Sequence, residues 1–169
     1  MVSGMSKGGA LALAIGIGAA VAAGGAFAHG DDKMPANAGP ATKAAYARHD
    51  NFHKLGGAFK GLNDELKKPA PDKAVVATNA KTISTLAGQL PTWFPRGSGV
   101  EARPMSEAKA EVWRDAAGFS TAASALQAQA TKLNQLAAAG DLDGVKGQVR
   151  NTGMACKGCH DKYRQEKKD

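Results

Sequence analysis

The sequence predicts an all-α protein, an antiparallel four-helix bundle, and three observations carry that prediction. Alanine is abundant while aromatic residues make up only 5% of the chain, a balance that suits helices over sheets. Apolar residues recur three and four positions apart in four separate stretches, the seam of a helix in a bundle. No stretch alternates with period two between turn residues, and the prolines gather in a few short segments, so strands have no local support. At 169 residues there is material for one domain with a real core.

Residues 1–28 stand apart from that bundle. They hold Lys7, then an Ala/Leu/Ile/Gly run, then Ala26-Phe27-Ala28, the pattern of a secretory signal peptide cleaved after Ala28. The competing reading, an uncleaved membrane anchor, suits the run less well because it is glycine-rich and only moderately apolar. Cleavage implies export to the periplasm and leaves no stable membrane anchor. Residues 29–40 form a polar, flexible lead, and residues 41–169 form the bundle.

The first helix carries a seam at Ala45, Arg48, Phe52, Leu55, Phe59, Leu62 and Leu66 and stops at Lys68, ahead of Pro69-Ala70-Pro71, because proline cannot continue a helix. The second carries Val76, Asn79, Ile83, Leu86 and Leu90 and stops at Pro91. Between Pro91 and Pro104 the run PTWFPRGSGVEARP denies regular structure; it is either a functional wrap or a crossover pinned by Trp93 and Phe94. From Met105 a third helix is predicted through Val112, Ala116, Phe119, Ala123, Leu126, Ala130 and Leu133, ending near Gly140. Asp141 can cap the fourth, whose seam is Leu142, Val145, Val149, Thr152, Cys156, Cys159 and Tyr163.

That last seam brings the chain's only two cysteines to the core side of one helix, a turn apart, with His160 directly after the second. Cys-x-x-Cys-His is the attachment signature of c-type haem: two thiols add to the porphyrin vinyl groups and the adjacent imidazole lies beneath the iron. Zinc would need a fourth ligand, which His49 or His53 could supply, and structural zinc sites usually draw ligands from two loops. A thioredoxin-like pair expects the motif at a helix start in a strand-rich fold. A disulfide between these neighbours would close a tiny loop and stabilise little.

The four helices ending in CKGCHDKYR resemble the class II c-type cytochromes of the cytochrome c′ family. The matching pieces are Arg48 with Phe52 and Phe59, the loop PTWFPRGSGVEARP, EVWRDAAGF, and GDLDGVKGQVRNTGMACKGCHDKYR. The resemblance implies one covalently bound haem on Cys156 and Cys159, with His160 as the proximal iron ligand. It places Arg164 near the proximal face and Arg48 beside a haem propionate. A charge on a seam is costly unless paired. The family sets either a ligating methionine or an apolar cover four residues after that arginine; here Phe52 stands there and has no lone pair to give.

The function so implied is an exported haem protein with five-coordinate, high-spin iron that binds nitric oxide or carbon monoxide, with electron transfer as a further capacity and no enzymatic activity. The rival is a six-coordinate, low-spin electron carrier in which His49 or His53 reaches iron, the blander reading of those two being surface histidines. Peroxidase-like catalysis would need a distal acid/base, again only His49 or His53. The formal net charge of +7, reduced by one if Lys7 is removed, suits an acidic redox partner or anionic surface. Lys67-Lys68 and Lys167-Lys168 look like solvated helix ends without interleaved aromatics, so nucleic acid is not expected. The resemblance also raises a homodimer through the first two helices, which their outer lysine, asparagine and threonine residues neither require nor exclude.

Overall fold

The computed structural model describes residues 32–166. The signal-peptide expectation for residues 1–28, and residues 29–31 of the lead, lie outside the described residues. Within them the chain forms α1 (Pro40–Leu66), α2 (Lys73–Gln89), one 3-10 turn (Leu90–Trp93), a single-turn α3 (Glu111–Arg114), α4 (Ala116–Ala138) and α5 (Leu142–Tyr163). The four long helices are the antiparallel bundle, and no strand occurs among the described residues beyond one isolated bridge, Ala108 to Arg164.

Each long helix begins and ends where local chemistry dictates. Pro40 occupies the first turn of α1, where a missing N–H costs nothing. Asp72 caps α2 by accepting from the N–H groups of Ala74 and Val75, and Asp141 caps α5 through Gly144 N–H at 2.9 Å. Between α1 and α2, buried Glu65 accepts from Lys68 Nζ at 2.6 Å and from Asp72 N–H at 2.8 Å. Past the end of α4, Gly140 adopts φ +70°, a left-handed conformation open to glycine and costly to residues with a Cβ.

The core is the meeting of the four seams. Leu62, Val76, Ile83, Leu133 and Val145 are at most 1% exposed, and Ala80, Ala87, Ala123, Ala130 and Ala137 are buried beside them, letting helix backbones approach closely; in α2 it is Ala80 and Ala87, not the expected Asn79 and Leu86, that face the core. α1 packs on α2, α2 on α4 and α4 on α5, whereas α1 and α5 meet more sparingly. Where they do meet, a Cβ at Gly153 would lie 3.6 Å from the Phe59 ring. Because the helices run antiparallel, the turns after Gly153 on α5 lie across from the turns before Phe59 on α1. By that register Cys156 and Cys159, on the core side of α5, come level with Phe52 and Leu55 along the bundle.

The third helix departs from the sequence expectation. The long helix starts at Ala116, not Met105: residues 105–110 are irregular, α3 is one turn, and Asp115 breaks the run with φ −109° and ψ 58°. Asp115 does so because its carboxylate caps α4 at Gly118 N–H, 3.0 Å, while also accepting from Tyr163 Oη at 2.8 Å and Lys162 Nζ at 2.5 Å. Residues 107–109 are drawn away to pair with the end of α5, which a continuous helix would forbid.

Candidate haem-binding site

Cys156 and Cys159 sit on the inward flank of α5, half-buried, both packed against the core, and both are free thiols. Burial pushes each thiol above its ordinary proton affinity, so they are neutral nucleophiles and not preformed thiolates. His160 follows on the exposed flank, where desolvation and then the Arg164 charge lower its pKa, favouring the neutral imidazole that can donate a lone pair to a metal. No group of three or more His, Cys, Asp or Glu side chains placed to hold a metal ion occurs among the described residues.

Phe52 lies across the seam, half-buried and fixed edge-on by Trp93 at 5.2 Å and Phe94 at 6.2 Å between ring centroids. Phe94 in turn meets Phe119 at 4.7 Å, and Phe119 meets Tyr163 at 5.3 Å. The aromatic chain thus runs from α1 through the long loop to the end of α5 and holds Phe52 in one orientation. Trp93 and Phe94 therefore anchor the loop, with Trp113 Nε1 donating to the carbonyls of Phe94 and Pro95 at 3.0 and 3.1 Å.

Arg48, 4% exposed, is the post around which that loop winds. Nη1 donates to Trp93 O at 3.2 Å and Ser98 Oγ at 2.9 Å, and Nη2 donates to Ser98 O at 2.6 Å and Ser106 Oγ at 3.1 Å. The guanidinium also lies 4.7 Å from the Phe94 ring centroid. None of these acceptors is a carboxylate. Desolvation, and then the neighbouring Arg103 charge, lowers its pKa to about 10. Arg103 is itself buried and ion-paired to Asp32, with Nε lacking a partner.

The remaining expected residues fall around this centre. Arg164 is the extended C-cap of α5, its N–H returning to His160 O at 3.0 Å, and its side chain is bound to Glu107. His49 and His53 stack edge-on at 4.4 Å on the flank of α1, His49 half-buried and His53 exposed. Met34, Met105 and Met154 are all exposed. A hollow of about 210 Å³ borders His160, Asp161, Arg164, Gln165 and Glu166; a larger one of about 370 Å³ borders the 96–101 loop and Trp113 and does not touch the cysteines.

This donor set fits a haem. Two neutral thiols on one helix flank can bond to vinyl groups, an adjacent imidazole can ligate iron, and a buried cation without a carboxylate acceptor suits an acidic edge. Sequence reasoning missed Asp115, Glu107, Ser98 and Ser106, all polar groups that fix the loop or the end of α5. Only Asp115 carried a local signal, as the first residue of Asp-Ala-Ala-Gly ahead of an apolar-periodic run.

Comparison with known proteins agrees with the geometry. A family model described as Cytochrome C′ matches residues 43–164. The cytochrome c′ of Rubrivivax gelatinosus is 42% identical over 95 residues, covering 56% of this chain and 72% of that protein. Its counterpart from Alcaligenes xylosoxydans xylosoxydans is 37% identical over 110 residues, covering 64% and 83%. The crystal structure of the Rubrivivax gelatinosus protein superposes with a TM-score of 0.67 at 35% identity, covering 74% of this chain and 97% of that one. A nitric oxide complex of a variant cytochrome c prime from Alcaligenes xylosoxidans gives 0.67 at 30% identity, covering 75% and 97%. With the fold, the Cys-x-x-Cys-His helix and these matches in agreement, the chain belongs to the cytochrome c′ family of haem proteins.

Proposed function

We propose that this chain is an exported periplasmic haem protein, not an enzyme, that holds one haem covalently through Cys156 and Cys159 and binds small neutral gases, nitric oxide or carbon monoxide, at an open iron position. Haem supplies an iron atom that takes a sixth ligand and cycles between ferric and ferrous states. His160 provides the protein ligand, its imidazole kept neutral by desolvation and by Arg164. Arg48 supplies the buried cation for a propionate, in addition to its bonds to the loop.

The observation that carries the gas-binding reading is Phe52, locked between Trp93 and Phe94 across the seam from the cysteines. A benzene ring cannot ligate iron or donate a hydrogen bond to a bound ligand, so it leaves a neutral diatomic as the species with the smallest desolvation cost. The exposed positions of Met34, Met105 and Met154 and the nitric oxide complex of a relative support the same reading. The positive net charge suits an acidic redox partner if electrons are exchanged.

The test is a visible spectrum of the purified protein, oxidised and reduced, with and without carbon monoxide. The expected result is a high-spin ferric form and direct binding of carbon monoxide by the ferrous form. Phe52→Met, which offers a thioether, should move the ferric spectrum toward low spin. A wild-type spectrum that is low-spin, turning high-spin only in His49→Ala or His53→Ala, would establish the six-coordinate electron carrier instead.

A further inference from the structure

Arg164 is where α5 unwinds. Its backbone is extended, with φ −110° and ψ 138°, so helical neighbours no longer restrain its side chain. What holds it is the strap at residues 107–109. Gln165 N–H donates to Glu107 O at 2.7 Å and Lys109 N–H donates to Tyr163 O at 2.9 Å, bracketing the Ala108–Arg164 bridge. That pairing sets the Glu107 side chain alongside Arg164, and its Oε2 accepts from Arg164 Nε at 2.6 Å and lies 2.6 Å from Nη2. The backbone and the side chains therefore specify the same register twice.

We propose that Glu107 is a positioning residue, whose carboxylate clamps the Arg164 guanidinium beside His160 and compensates its charge on the proximal side of the haem. A contribution to fold stability does not account for the pair. Both side chains are substantially exposed, 39% and 46%, where an ion pair contributes little. The location does account for it: Arg164 and His160 line one hollow together with Asp161 and Glu166, and Glu107 holds the guanidinium from its other side. Released from Glu107, the guanidinium would be free to reorient about that hollow with one paired carboxylate fewer, Asp161 and Glu166 still bordering it.

The inference rests on the reading of His160 as the iron ligand, and its test separates the two. Nitrogen-15-labelled holoprotein, reduced and saturated with carbon monoxide, is used to follow exchange of the Arg164 Nε–H, and the ferrous-to-ferric ratio is measured at the wild-type midpoint potential. In Glu107→Ala the Nε–H should exchange at least about tenfold faster. The ratio should shift toward ferrous by roughly two- to fivefold, because a negative charge leaves while the positive one stays. Glu107→Asp should return both toward wild type. Equal Nε–H exchange in wild type and Glu107→Ala, or an unchanged ratio, would overturn the clamp. If His160→Ala left the haem spectrum unaltered, the ligand reading would fail instead, and the Nε–H result would still report on the clamp by itself.

Discussion

The middle of the bundle and its haem-bearing end are built on different principles. In the middle, Leu62, Ile83, Leu133 and Val145 are buried together with the alanines of the seams. At the haem-bearing end, Arg48, Arg103, Ser98 and Ser106 are buried polar groups, and Asp115 and Glu107 hold the last turn of α5 from outside. Hydrophobic packing is non-directional and sets how much the bundle is worth. Hydrogen bonds and ion pairs are directional, and they set where a few groups sit. The haem site proposed at Cys156, Cys159 and His160 calls for the second kind of restraint.

The largest expected effect falls on the haem-bearing end. Cys156→Ala combined with Cys159→Ala should abolish covalent haem, so that acid extraction removes all colour from the protein; retained haem would break the attachment reading. The protein without haem should also melt earlier and lose native-like circular dichroism, since a ligand that binds only the folded state stabilises it. Next in size comes the middle. Leu133→Ala should lower unfolding free energy by about 2–5 kcal/mol with the haem spectrum unchanged. A spectral change from so remote a substitution would show that the two regions are not separable.

How far the sequence reveals each region follows from the same contrast. Heptad periodicity is a local signal, so most of the α1, α2 and α5 seams, the proline stops, the Asp141 cap and the side on which the cysteines lie could be read from spacing, although α2 buries Ala80 and Ala87 where the spacing pointed to Asn79 and Leu86, and α5 buries Gln148 in place of Val149. The break at Asp115 was hidden because Val112, Ala116 and Phe119 keep helical spacing straight through it; the forces that break the helix come from Lys162 and Tyr163, far along the chain. Arg48 was recognisable as a charge in need of a partner, but acceptors fifty residues away on an irregular loop leave no periodic trace. Glu107 has the same difficulty, since its partner lies beyond α4 and most of α5.

A smaller effect sharpens the comparison at Arg48. Arg48→Ala removes four donated bonds and strands the carbonyls of Trp93 and Ser98, so it should cost about 1–3 kcal/mol. Because the loss is directional, it should free the 94–106 loop preferentially, seen as faster hydrogen exchange at Ser98 and Arg103 than in the middle of α2. Uniform loss of protection across the bundle would mean that Arg48 acts through the core and not through the loop.

The smallest effect is the pH dependence carried by Asp115. Its carboxyl is held down at about 2, first by Lys162, then by Tyr163 and the Gly118 N–H, against an ordinary value of 3.8. A carboxylate whose folded pKa is depressed adds stability above its unfolded pKa, and that stability is lost as pH falls toward the folded value. Asp115→Asn keeps the shape of the side chain and removes the charge, so its deficit relative to wild type should be constant at neutral pH and shrink between about pH 4 and pH 2. The deficit should be modest because the group faces solvent. Melting temperatures of the two proteins across that range measure it. Convergence at low pH would confirm that an ion-pair and hydrogen-bond clamp holds the end of α5, whereas a deficit that persists unchanged to pH 2 would mean that Asp115 acts through shape alone, as the cap of α4.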